Sequence, residues 1–351
     1  EAFRERLARA SDVSVYLHAN LMEIVPADAG RQIEELRVGT LSGVRLGVRA
    51  RHVVLAAGGI ENARLLLLSR GREPNGLGNA NDLVGRYFAD HIELASGYAL
   101  FSVPVAPFRW YVAGSHRAVA ALRLAPGAQE ARGTRSAVLT MHQVRDTTET
   151  SVGFGSLRRI ARAVQQRSLP DNLLGDLANV VYDIDQVVRY VYGRAAGTEV
   201  RDNLFLLMNR LEMTPNRESR VTLDSARDAL GQNRVRLDWR LSNADKATIR
   251  ATQEELARAF GAASLGRVMV EFREHQPWPS TAQGGYHHMC TTRMGSDPRT
   301  SVVDADCRVH GIGNLWVAGS SVFRTTGTSN PTLTIVALAL RLADRLKAEL
   351  Q

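Results

Sequence analysis

HVVLAAGGIENARLLLLS, residues 52–69, runs through three local patterns with no linker between them. VVLAA has the length and apolar content of a buried strand. Two glycines follow it, and IENARLLLLS then carries its leucines at helical spacing. A strand, a glycine turn and a helix N-terminus in this order form a junction of a doubly wound sheet. The same junction suits an anion or a dinucleotide, because glycine lets backbone approach a ligand and the helix end presents unpaired N–H groups. Taken alone, the stretch leaves both readings open.

Working outward, residues 1–10 read as the end of an amphipathic helix and VSVYLHANLMEIV (13–25) as a strand. EELRVGTL and VRLGVRA form a hairpin pair. Residues 76–91, GLGNANDLVGRYFADH, are rich in turn formers and then aromatic. The usual dinucleotide fingerprint, GxGxxG, is absent there, and GFGSLR (153–158) lacks its third glycine and a preceding strand. The middle third alternates β-like pieces with helical ones, such as LRRIARAVQQRSL and ANVVYDIDQVVRYVYG. It holds no chemical motif, so it reads as a substrate or partner surface. LFLLMNRLEMTPNRESRVTLD (204–224) gives a strand, a Pro-Asn turn and a second strand. ADKATIRATQEELARAFGAAS (244–264) is an amphipathic helix.

Bulk composition narrows the function classes. The 351 residues carry a net charge of +8, but Lys246 and Lys347 are the only lysines. The arginines are interleaved with Asp and Glu along the chain rather than gathered in blocks, which argues against a nucleic-acid interface. The two cysteines, Cys290 and Cys307, make neither a disulfide framework nor a zinc site. No apolar stretch reaches the roughly 18–20 residues of a membrane span. TLTIVALALRLADRL (332–346), broken by arginine and aspartate, reads as a core helix. The chain opens on EAFRERLARA with neither an initiator methionine nor a signal sequence, so Glu1 is not expected to be the biological start, and compartment stays unassigned.

The chemistry concentrates near the C-terminus. GGYHHMCTTRMG (284–295) puts His287 and His288 in a glycine-flanked loop, followed by cysteine, threonines and arginine. A proton acceptor, a metal clamp and a solvated loop are all consistent with that pattern. His275 and His310 lie at no spacing that supports a metal, so no metal is expected. Cys290 has no placed base and does not read as a nucleophile. For His91 the structural reading is preferred. NLWVAGSS (314–321) is a short buried strand ending in Gly and Ser, and FRTTGTSNP then delivers Asn330 and Pro331 to the start of a helix. Asn330 caps that helix, or sits where backbone amides meet a negative charge, or does both.

Together these stretches resemble the glucose–methanol–choline (GMC) family of FAD-dependent oxidoreductases, in its bacterial sugar and polyol dehydrogenase and pyranose-oxidase-like branch. The family's H-x-x-G-T-x-R-M-G stretch is matched by His287 to Gly295, and Asn330 fills the later His/Asn position before the last helix. AAGGIENARLL (56–66), GNANDLVGRYFADH (78–91) and the E-x-x-PN-x-x-SRVTL pattern from Glu212 to Leu223 are similar to the same branch. The matches fall in order over most of the chain.

The resemblance implies a mixed α/β fold: part of a doubly wound FAD-binding domain in residues 1–90, an antiparallel-sheet substrate domain in 91–280, and a return to the FAD-binding domain in 281–351. It implies FAD as cofactor and oxidation of a sugar, glycoside or polyol hydroxyl, with His287 as base, Asn330 holding the substrate oxygen and His288 behind them. Gly319, Ser320, Pro331 and Thr332 are then expected along the isoalloxazine and pyrophosphate. Leu21, Ala57, Gly58 and Asn62 are expected nearer the adenine. An imidazole suits the role of base because its ordinary pKa, about 6.5, lies near working pH.

The sequence departs from the family pattern at three places. Cys290 replaces the glycine before the threonine, Arg324 stands where proline is usual, and the N-terminal GxGxxG unit is absent. The last departure implies an N-terminal half, on the same parent chain or on a second polypeptide. Two other readings are carried: the same chemistry on a sterol or aromatic alcohol, and a flavin-free scaffold subunit of this fold.

Overall fold

The computed structural model describes residues 3–105, 110–113, 116–119, 121–144, 152–165, 168–170, 172–182, 184, 202–270, 272–273, 275–279 and 281–351. In chain order the elements begin with α1 (Arg4–Arg9), β1 (Asn20–Pro26), β2 (Ile33–Gly39), β3 (Arg45–Val48), β4 (Val53–Leu55) and α2 (Glu61–Leu68). There follow β5 (Ile92–Val105), β6 (Trp110–Ala113), β7 (His116–Val119), β8 (Leu122–Arg123), α3 (Pro126–Arg132), β9 (Ala137–Gln143), α4 (Val152–Gln165), α5 (Leu173–Tyr182) and β10 (Asp202–Leu211). The chain closes with β11 (Arg220–Arg227), β12 (Asn233–Asp238), α6 (Asn243–Ala262), β13 (Gly266–Val270), β14 (Gln283–Gly284), β15 (Leu315–Val317) and α7 (Thr332–Leu350).

Two compact units divide these elements. The first is built from three separate pieces of chain, Glu1–His91, Glu212–Ser242 and Gly284–Gln351. Residues 212–242, which the sequence places in the middle segment, therefore pack with the two ends of the chain. In this unit β4 and β15 pair in parallel, Val53 opposite Leu315 and Leu55 opposite Val317. The VVL core of the opening stretch is thus a strand, and its leucines continue into α2, burying Leu65, Leu66 and Leu67. β1, β2 and β3 form an antiparallel meander, with Leu36 shared between Ile24 and Val48. Alternation along β1 turns Met22 and Ile24 inward, where Ile24 meets the leucines of α2 and Leu315 and Val317 of β15 in one core.

Two sequence expectations need correction here. The strand read over 13–25 begins only at Asn20: His18 takes a left-handed φ of 58°, and Val13, Val15, Tyr16 and Leu17 are exposed. β-branched content favours a strand only where a pleated, half-buried surface is available to pack on. The helix read as a core element forms over Thr332–Leu350, yet Leu342 is its only buried residue, while Leu333 is 82% and Leu340 63% exposed.

The second unit is Ile92–Leu211 with Asn243–Gln283. Its sheet runs in the order β13, β5, β10, β9, β8, and all of these neighbours are antiparallel. Phe205 and Leu207 of β10, Ala99 and Phe101 of β5, and Leu139 and Met141 of β9 share one face of it. Phe260 and Leu256 of α6 pack on that face, and the Phe101 ring lies 4.9 Å from that of Phe260. GFGSLR lies in α4, where no phosphate loop exists. α5 ends at Tyr182, and the rest of ANVVYDIDQVVRYVYG falls outside the described residues apart from Ile184.

Candidate active site

The histidine loop meets the segment before β5 through one antiparallel bridge within the first unit. Ala89 and Met289 exchange both backbone hydrogen bonds, at 3.2 and 2.9 Å. Two residues after Ala89 and two before Met289, His91 and His287 come face to face. Their Nδ1 atoms are 3.0 Å apart and the rings meet edge to face, with centroids 4.9 Å apart. The Asp90 carboxylate pins both backbones: Oδ1 accepts the His91 N–H at 2.7 Å and the His287 N–H at 2.8 Å. His91 is fully buried and His287 half-buried.

The segment carrying His91 is itself held from behind. Its Gly85 N–H donates to Thr291 O, and its Phe88 N–H donates to Ser219 O. Arg86 binds both Asp82 and Glu218, and Arg220 of β11 also binds Asp82. Burial alone would raise the Asp82 carboxyl, but these arginines outweigh it and hold it below the usual carboxylate range.

Beyond His288 the loop zips onto the turn that follows β15. The N–H groups of Cys290, Thr292 and Met294 donate in turn to the carbonyls of Ser320, Ser321 and Val322. Ser320 Oγ donates to the His288 carbonyl at 2.6 Å, and Thr291 Oγ1 to the Gly59 carbonyl at 2.5 Å. The His288 carbonyl presses so closely on Gly59 that a Cβ there would stand 2.2 Å from it. The glycine turn of the opening stretch and the histidine loop are therefore packed backbone to backbone. The His288 ring lies 5.7 Å from that of Phe88, between centroids.

Cys290 occupies a left-handed φ of 73°, the conformation glycine adopts without cost. Burial pushes its thiol up to about 12, against the pull of Arg293, so it stays protonated and is not a nucleophile. Arg293 is itself buried, and its guanidinium carbon lies 3.9 Å from the centre of the Tyr87 ring.

The residues expected at the cofactor are distributed as follows. β4 and β15 end side by side, β4 running into Ala57 and Gly58 and β15 into Gly319 and Ser320. Gly58 and Gly319 have φ of 97° and 102°, and no atom lies within 4 Å of the place a Cβ would occupy on either. Asn62 is fully buried; its Oδ1 accepts the Ala57 N–H, and its Nδ2 donates to Ala318 O and Ser321 Oγ. It ties the two glycine turns to each other. Leu21 is half-buried against the core of this unit. Asn330 is exposed, Pro331 is buried at the N-cap of α7, and Thr332 begins that helix, exposed. His310 meets Ser301 Oγ and the Gly295 carbonyl through Nε2. Among the described residues no three His, Cys, Asp or Glu side chains converge as a metal site.

Sequence reasoning missed His91 and Asp90. The motif around 287 is local, whereas its partner lies 196 residues away and is identified only by the bridge between the two segments.

Parallel strands ending in open glycine turns are the kind of place where nucleotide cofactors bind in open α/β sheets. Residues 215–339 match the profile described as GMC oxidoreductase, a family of FAD flavoproteins to which the chain is similar. It is 28% identical to the 2-methyl-1,2-propanediol dehydrogenase of Mycolicibacterium austroafricanum, over 93% of this chain and 53% of that protein. It is 30% identical to the paromamine 6'-oxidase of Streptomyces fradiae, over 86% of this chain and 46% of that one. The chain thus spans about half the length of these curated relatives. An FAD-dependent oxidoreductase of Chaetomium thermophilum superposes with a TM-score of 0.51 at 18% identity, covering 99% of this chain and 64% of that one. At that identity the likeness is one of fold. No helix among the described residues is long and apolar enough to cross a membrane.

Proposed function

We propose that this chain supplies the proton-accepting side of an FAD-dependent oxidoreductase that converts a sugar, glycoside or polyol hydroxyl to a carbonyl. One observation carries the reading: the histidine loop is packed, carbonyl against glycine, on the turn that ends β4, which places His287 and an open glycine cradle in one rigid assembly. The names of the two relatives point to 2-methyl-1,2-propanediol and to paromamine, which supports this substrate class.

The residues fit the cofactor. Gly58 and Gly319 leave free space at the carboxyl ends of paired parallel strands, where nucleotide cofactors bind in open α/β sheets. Ala57, Ser320, Pro331, Thr332 and Leu21 are the further residues expected to line the cofactor, and Asn62 braces the two turns. Bound there, FAD supplies the acceptor for the hydride. His287 takes the hydroxyl proton and Asn330 orients the substrate oxygen. The Asp90 carboxylate and the bridge hold the His287 backbone still, and His288 serves through its carbonyl, as the acceptor for Ser320.

The reading includes a further polypeptide region, contiguous with this chain or separate, that brings the phosphate-binding unit. Its support is the uncovered apolar surface of α7, where Leu333, Val336 and Leu340 lie on one side of the helix, all exposed. The units containing residues 1–91 and 92–211 take the roles of FAD-binding and substrate domains. The test is a visible absorption spectrum of the natively purified protein with every co-purifying chain retained and sized. Flavin bands together with the additional region are expected. A colourless, stable protein consisting of this chain alone overturns the reading.

A further inference from the structure

The geometry points to His91 as a positioning residue that fixes His287 in the tautomer whose Nε2 carries no proton. The inference rests on the proposed role of His287 as base and concerns the state in which that base is presented.

The two Nδ1 atoms, 3.0 Å apart, are in hydrogen-bond contact, so one proton lies between them and one ring must donate it. The other end of His91 decides which. Its Nε2 faces the Thr326 carbonyl at 3.4 Å, and a carbonyl only accepts, so the His91 proton sits on Nε2. The opposite tautomer would aim a nitrogen lone pair at that carbonyl oxygen inside a fully buried site, where a mismatch between two acceptors goes unrelieved by water. With Nε2 protonated, neutral His91 has a bare Nδ1 that accepts. His287 must then donate from Nδ1, and its Nε2 is left as the free lone pair. The chain reads Thr326 carbonyl, His91 Nε2–H, His91 Nδ1, His287 Nδ1–H, and ends on an open base.

Which nitrogen of an imidazole is protonated is set by the hydrogen bond the other one makes. Asp90 Oδ1 accepts from the two backbone N–H groups, and the contact between the rings is one imidazole to another. The bond from His287 to His91 is therefore neutral to neutral, and weaker than one to a carboxylate. When Nε2 takes the hydroxyl proton, Nδ1–H stays where it is, and the imidazolium still donates to His91. Ring orientation is fixed before and after the transfer by the same contact.

The test uses the purified holoenzyme with all of its chains, labelled with 15N-histidine. It is examined at about two pH units above the ordinary imidazole pKa of ~6.5, so that exposed rings are neutral. Two-bond proton–nitrogen correlations report which ring nitrogen is protonated, and His287→Gln assigns the His287 signals by their loss. The expected wild-type spectrum shows His287 protonated at Nδ1 and bare at Nε2. His91→Phe keeps an aromatic ring and removes the acceptor, so the His287 signals should shift toward a mixed or Nε2-protonated state. In that variant kcat should fall by about 10–100-fold while KM changes little. His91→Asn offers an amide oxygen in place of Nδ1 and should restore both the spectrum and most of kcat. A wild-type spectrum with His287 protonated at Nε2 overturns the inference without any variant having to fold, and so does a His91→Phe spectrum with His287 unchanged. The tautomer is read without turnover. A holoenzyme with the expected tautomer but no alcohol oxidation would therefore defeat the proposed function alone, and an active one with the opposite tautomer would defeat this inference alone.

Discussion

Two regions of the first unit, the histidine loop and helix α7, treat their surroundings in opposite ways. In the loop nearly every polar group has its partner within the chain: Asp90 with two N–H groups, Ser320 with the His288 carbonyl, Thr291 with the Gly59 carbonyl. α7 buries only Leu342 and leaves Leu333, Val336 and Leu340 exposed along one side. The candidate site is closed by this chain's own contacts, whereas one side of the helix following Asn330 lies open.

The contrast can be broken or sharpened by experiment, beginning with the largest effect. His287→Ala in the holoenzyme should lower kcat by about 10²–10⁴-fold, the usual worth of a positioned general base, while flavin absorbance per protein stays within error. Loss of flavin instead would mean that the histidine loop is no independent module. Leu340→Lys should destabilise the holoenzyme by roughly 3 kcal/mol in denaturant unfolding, because a charge would replace a side chain covered by the further region. A change below about 0.5 kcal/mol would mean that this side of α7 faces solvent in the working protein.

Cys290 gives a finer test of how closed the loop is. Its thiol is ordinarily near 9.0 and is pushed up to about 12 by burial, so the folded protein holds a proton that the unfolded chain releases above pH 9. Stability from this group is complete below pH 9 and falls with rising pH up to about 12, with a limiting slope near ~1.4 kcal/mol per pH unit. Cys290→Ala should remove that slope in an alkaline unfolding series. Ser320→Ala is the smallest perturbation. Losing the hydrogen bond to the His288 carbonyl should cost about 1 kcal/mol in thermal unfolding, with kcat reduced less than by His91→Phe.

Much of the fold was legible because it is local. The run from Val53 to Leu68, the β2–β3 hairpin and α6 are each specified by a pattern shorter than about 20 residues. His287 was legible because its loop has a recognisable order of residue types. His91 was not: GRYFADH looks like any turn entering a strand, and nothing nearby says which face of which distant segment it will meet. The overlong strand at 13–25 and the supposed core position of α7 failed for one shared reason. A sequence pattern states what an element requires, and the rest of the chain decides whether the requirement is met. Cys290 carries a similar lesson, since its left-handed backbone explains why glycine fits that place in the family pattern, and no composition argument shows it.

The 196-residue separation of His91 and His287 also has a kinetic side. Closing a loop of that size costs chain entropy before any contact repays it, so contacts of this range form late in folding. During synthesis the segment with Asp90 and His91 emerges 196 residues before its partner. The candidate site is then among the last features to assemble.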